Sequence, residues 1–216
     1  MSREANADGV LPQWAFERVL RPSFRVAARA AWRMEFAGTH HIPPAGAGGL
    51  IIAANHQTYF DPFWLSIPVR RRVRYLAWDA AFDWFVVGRV IRRLGAIPLA
   101  LEGGDRKAMR RALEHLRAGD CIVIFPEGGR GNTDGTPMRF KPGAVRLALE
   151  ADVPILPVTI SGAHKVWNSE QLVPRPARVS ITYHPPRIMR CSPDEDVRLC
   201  ARRESDDLAR VICSAL

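Results

Sequence analysis

The hydrophobic positions of this chain form short, continuous apolar runs separated by segments of helical periodicity. Leu50-Ile51-Ile52-Ala53-Ala54 and Cys121-Ile122-Val123-Ile124-Phe125 are apolar at every position. A strand covered on both faces needs that pattern, whereas a half-exposed strand alternates. Residues 73–78, 96–99, 154–160 and 177–183 read as further strands. The segments 12–34, 61–67, 79–94, 105–118, 141–150 and 194–216 read as helices, with Gly95 and Gly119 placed to close two of them. Asp61-Pro62 suits a helix start, with Asp as the cap and Pro in the first turn. Strands alternating with helices predict an α/β fold: a single domain with a mostly parallel or mixed central sheet flanked by helices. Residues 1–34 read as a loose tail followed by an amphipathic helical segment, kinked or divided at Pro22, and residues 35–216 as the folded domain.

Length and charge sharpen this picture. A chain of 216 residues suits one full hydrophobic core. Its 31 Lys+Arg against 22 Asp+Glu give a formal net charge of +9, and Lys107, Lys141 and Lys165 are its only lysines. An arginine-rich surface suits anionic lipids, phosphorylated substrates or nucleic acid. No helix-turn-helix, zinc-finger or RNP-type pattern is present, so nucleic acid is not an expected partner. Arg70, Arg71, Arg72 and Arg74 form one basic cluster, and Arg89, Arg92 and Arg93 another beside Trp84 and Phe85. The second suits docking on an anionic bilayer or a solvated helix end. The arginines and aromatics of segment 12–34 allow either interfacial insertion or packing on the domain with a solvated basic face.

Cys121, Cys191, Cys200 and Cys213 show no Cys-x-x-Cys spacing, so neither a metal site nor an oxidising compartment is called for. Cys121, inside an apolar run, reads as a buried small hydrophobe. The adjacent His40 and His41 do not suit a metal pair. No signal-peptide pattern and no uncharged apolar stretch of about 18 residues is visible. A membrane role is therefore expected to be peripheral, from the cytoplasmic, inner face.

Two segments carry candidate chemistry. Asn55-His56-Gln57-Thr58-Tyr59-Phe60-Asp61 follows the first apolar run. Five positions apart, Asp61 can orient the imidazole while His56 takes a proton from a hydroxyl, which must come from outside because the motif holds no serine or cysteine. Pro126-Glu127-Gly128-Gly129-Arg130-Gly131-Asn132 follows the second apolar run. Glycines at the carboxyl end of a strand free backbone N–H groups for an anion, and Arg130 can hold a phosphate bidentately. Glu127 would repel that anion unless it binds a hydroxyl or orients Arg130, which suggests a polyol phosphate. The competing reading is a surface turn with solvated charges.

These segments, with Phe140-Lys141-Pro142-Gly143-Ala144 and Val153-Pro154-Ile155-Leu156-Pro157-Val158, occur in the order of the glycerolipid acyltransferases, and the chain resembles the bacterial 1-acylglycerol-3-phosphate acyltransferases over residues 38–160. The resemblance implies that His56 is the general base and Asp61 its orienting partner. It implies that Asn55, Glu127, Gly128, Gly129, Arg130 and Lys141 bind the acceptor. The implied reaction moves a fatty acyl group from acyl-CoA or acyl-carrier protein, as co-substrate, to a lysophospholipid hydroxyl, with no metal or other cofactor. Two positions depart from the family pattern. Leu101 stands where the second block has a phosphate-contacting arginine, with Arg106 a conceivable substitute, and Gly129 stands where Thr or Ser is common. A different lyso-lipid or polyol acceptor, or a non-catalytic lipid- or CoA-binding relative, therefore remains an alternative.

Overall fold

A computed structural model describes residues 18–19, 21–85, 87–100, 105–168 and 170–216. Seven strands form one sheet in the order β1-β7-β6-β2-β5-β3-β4: β1 (Glu35–Ala37), β2 (Leu50–Ala54), β3 (Val73–Trp78), β4 (Ile97–Leu99), β5 (Cys121–Ile124), β6 (Ile155–Ser161) and β7 (Ser180–Tyr183). The neighbours β6, β2, β5, β3 and β4 are mutually parallel. β7 runs antiparallel to β6, and β1 pairs in parallel with β7, so the sheet is mixed.

Both apolar runs sit at the sheet centre, where both faces are covered. Leu50, Ile52 and Ala54 of β2 face one core cluster with Val123 and Val158. Ile51 and Ala53 face the other, with Ile122, Ile124 and Ile155. All five β2 residues are fully buried. The first core is covered by α1 (Arg21–Trp32), through Ala28 and Trp32, and by α2 (Asp61–Trp64), through Trp64. The second is covered by α4 (Arg106–Arg117), α5 (Gly143–Ala151) and α7 (Val197–Cys213). The caps follow local chemistry. Asp105 accepts from the N–H groups of Lys107 and Ala108, and Asp196 from those of Arg198 and Leu199, so two orphan donors are met at each helix start.

Several expectations are corrected. Pro22 is the second residue of α1, where its missing N–H loses nothing; most of the segment before it, where the expected kink or division falls, lies outside the described residues. The tail and the first turns of segment 12–34 lie mostly outside the described residues. The single helix expected over 79–94 is a 3-10 turn (Asp79–Asp83), an extended Trp84 (φ −70°, ψ 129°) and a separate α3 (Val87–Arg93). Gly88 explains the fold-back, because a Cβ there would lie 2.0 Å from the Phe82 carbonyl oxygen. β1 and the short helix α6 (His164–Trp167) were not expected.

Two of the four arginines of the first cluster, Arg71 and Arg74, are internal. The Arg71 side chain donates to the carbonyls of Gly48 and Gly119. Arg74 pairs with Asp120 at 3.4 Å. Cys191 and Cys200 form a disulfide, joining the segment before α7 to its first turn, a pairing that a search for Cys-x-x-Cys does not reveal. Cys121 is free and buried, as expected, and burial pushes its thiol up to about 12.

Candidate active site

The carboxyl ends of the adjacent strands β2 and β5 each release one of the two motifs, and buried polar side chains weld them together. Asn55 comes first after β2. Its Nδ2 donates to the Ile160 carbonyl at 2.8 Å and its Oδ1 accepts from the Ile160 N–H at 2.7 Å, prolonging the β2–β6 pairing with a side chain. Asn55 is fully buried with both polar groups spent on β6, so it holds the strand end and does not meet an acceptor, contrary to expectation.

His56 follows. Its Nδ1–H donates to Asp61 Oδ2 at 2.9 Å, and its ring stacks on Phe125 at 4.0 Å between centroids and 18° between planes. The same Asp61 carboxylate accepts from the N–H of Gln57 (2.5 Å), the N–H of Thr58 (2.8 Å) and the Thr58 hydroxyl (2.8 Å). Asp61 is fully buried and turns back onto the preceding loop; it makes no side-chain cap for α2. Four donors to a buried carboxylate hold it as an acceptor and fix the imidazole tautomer, leaving the lone pair on Nε2. Nε2 has no partner among the described residues, and the side chain is 17% exposed.

Glu127 also departs from expectation. Oε1 accepts from the His56 N–H at 2.7 Å and Oε2 from the Met138 N–H at 2.7 Å, and the residue is buried. Burial raises its carboxyl above the usual range, opposed by those two N–H groups. With each oxygen accepting one backbone N–H, Glu127 braces the two loops. The Gly131 N–H closes the same seam by donating to the His56 carbonyl at 2.6 Å.

The cations stand at the open side. The Arg130 guanidinium lies 3.9 Å above the ring centroid of exposed Tyr59 and has no carboxylate partner among the described residues. Gly128 has φ +72°, and a Cβ there would lie 2.5 Å from Lys141 Nζ, so the missing side chain makes room for that amine beside the loop. A Cβ at Gly129 would lie 3.3 Å from the flexible end of Met138, a tight contact. His56, Arg130 and Lys141 thus stand at the open side of the two loops, while Asn55, Asp61 and Glu127 lie beneath. Leu101 lies outside the described residues, and Arg106 is an exposed first residue of α4. Sequence reasoning missed Tyr59 as the platform for Arg130. It also missed Gln57, which donates to the Gly135 carbonyl at 3.0 Å and accepts from the His164 N–H at 3.1 Å. The aromatic inside the motif was the one available signal for the first; nothing in the sequence marks the second.

A family model described as Acyltransferase matches residues 33–161, which contain both loops and six of the seven strands. The chain belongs to the acyltransferase family. The acyltransferase fold agrees with that of the 1-acyl-sn-glycerophosphate (LPA) acyltransferase PlsC of Thermotoga maritima, with a TM-score of 0.72 at 22% identity over 94% of this chain and 81% of that one. Mouse 1-acyl-sn-glycerol-3-phosphate acyltransferase alpha is 28% identical over 163 residues, 71% of this chain and 54% of the relative. The human protein of the same name is 30% identical over 137 residues, 60% of this chain and 46% of the relative. An uncharacterized protein of Mycobacterium tuberculosis is 29% identical over 163 residues, 69% of this chain and 43% of the relative. The chain thus spans about half the length of the curated relatives it matches.

Proposed function

We propose that this acyltransferase-family protein moves a fatty acyl group from acyl-CoA or acyl-carrier protein to the free hydroxyl of 1-acylglycerol 3-phosphate, giving phosphatidic acid. The observation that carries the reading is His56 with its tautomer fixed by Asp61 and Nε2 open, together with an Arg130 that lacks a carboxylate partner among the described residues. In the proposed step Nε2 takes the hydroxyl proton while the oxygen attacks the thioester carbonyl. The C–S bond then breaks, and the imidazolium returns its proton to the leaving thiolate. Arg130 and Lys141 hold the phosphate, the first as a fork-shaped donor and the second as a point charge. No cofactor enters this reading, because a thioester is already an activated donor.

The test is thiol release from a soluble acyl-CoA with 1-acylglycerol 3-phosphate, glycerol 3-phosphate or a phosphate-free lyso-lipid as acceptor. Release dependent on the first acceptor alone supports the proposal. Leu101, in place of the family's arginine, favours a second reading with another lyso-lipid or polyol acceptor, and preference for the phosphate-free compound would select it. Arg130→Ala is expected to raise the KM for the phosphorylated acceptor more than it lowers kcat, because a ground-state phosphate contact is lost. An unchanged KM would remove Arg130 from that role.

Among the described residues no helix is long and apolar enough to cross a membrane. We propose peripheral docking on the inner face of the cell membrane through the surface around α3. Trp78, Trp84, Phe85, Val87 and Val90 are exposed there, with Arg89 stacked 4.0 Å from Phe85. Aromatics rimmed by arginine suit the headgroup level of an anionic bilayer. The double substitution Trp84→Ser/Phe85→Ser removes two side chains worth about 1.5–3 kcal/mol each on burial. Flotation with anionic vesicles should then fall about tenfold or more. Undiminished flotation would place the docking surface elsewhere.

A further inference from the structure

A cleft of about 880 Å³ opens beside α1 on the sheet face that α1 covers, and it shares no residue with either active-site loop. Arg25 and Arg29 of α1 line it together with Arg70 and Arg71 of the segment before β3. None of these four has a carboxylate partner among the described residues. Its one lining carboxylate, Glu35, is held by Arg178 at 2.7 and 2.9 Å. Arg71 is the unusual member. It is 5% exposed, its Nη2 is spent on the Gly48 and Gly119 carbonyls, and its buried Nη1 has no acceptor. A buried guanidinium with an unmet N–H, behind three further cations, is an arrangement that an anion relieves. The remaining lining includes Phe36, Ile42 and Ile67, so the cleft pairs its charge with an apolar wall.

We propose that this cleft is a second, non-catalytic site for the phosphate group of a phospholipid. The arginines take the phosphate and the apolar wall takes the start of an acyl chain. The proposal is independent of the reaction assigned to His56. The test uses the full chain carrying Arg130→Ala, so that phosphate binding at the active-site rim is weakened. It is titrated with inorganic phosphate and with a water-soluble short-chain phosphatidic acid, read by calorimetry. The same titrations are run after adding Arg25→Gln, Arg29→Gln and Arg70→Gln, which leave the structural Arg71 in place. Phosphatidic acid should bind about tenfold or more tighter than inorganic phosphate, and the triple substitution should weaken it by about tenfold or more. Equal affinity for phosphate and lipid, both lost in the triple variant, would overturn the lipid source and leave an anion site. Binding unaffected by the triple substitution would overturn the site itself. In the otherwise unaltered chain the triple substitution should leave thiol-release kcat within about twofold.

Discussion

Replacing His56 with alanine is expected to lower thiol release from acyl-CoA by roughly 10²–10⁴-fold, the usual worth of a positioned base. The expectation rests on what that side chain does and does not do. It makes one hydrogen bond, to a carboxylate that keeps three other donors. Its ring covers Phe125 but is not deeply buried. Its backbone N–H and carbonyl, which bond Glu127 and Gly131, remain in alanine. The fold should therefore survive, with a melting curve close to the parent's, while the lone pair proposed to accept the hydroxyl proton is gone. The informative measurement is turnover at saturating acceptor and donor, paired with circular dichroism. Near-normal turnover in a folded variant would exclude His56 as the base.

Glu127→Ala should fail differently. Two part-buried N–H groups, of His56 and Met138, lose their acceptor, at roughly 1–3 kcal/mol each where water does not replace it. Urea melts should show that loss directly. Catalysis should fall as well, because His56 is then held to the glycine-rich loop only through the Gly131 bond. The loss should appear mainly in kcat, since the phosphate cations of the rim are untouched. That separates Glu127 from Arg130, whose removal should act on KM. A variant with parental stability and a raised acceptor KM alone would return Glu127 to the substrate-contacting role first read from its sequence.

The two outcomes show which parts of the molecule were legible in its residues. β2, β3 and β5 were readable because burial of both faces, or of one end, leaves an apolar run bounded by polar turns. β1 has three residues on an edge, too few for any pattern, and the reversal of β7 against β6 depends on a long connection without periodicity. The segment at 79–94 has helical periodicity throughout, yet the approach of Gly88 to the Phe82 carbonyl breaks it, and such a contact is invisible locally. The His56–Asp61 hydrogen bond was legible because an imidazole and a carboxylate five positions apart pair by residue type. Asn55 and Glu127 were read as acceptor contacts, whereas the partners that the structure gives them are backbone amides of Ile160, His56 and Met138, which leave no mark on residue identity. Arg71 and Arg74 show the same limit, since a carbonyl or a distant Asp120 can claim a charge that reads as surface.

The bond pair between Asn55 and Ile160 has a consequence for how the protein opens. Because the residue before His56 is stitched to β6 while the loop itself leaves between β2 and β5, the catalytic turn belongs to the most protected part of the sheet. Its amides should exchange with solvent deuterium only through openings close to global unfolding, whereas the α3 region should exchange through small local ones. Substrate selectivity can then drift at the rim, around Tyr59, Arg130 and α3, without loosening the turn that carries the proposed base.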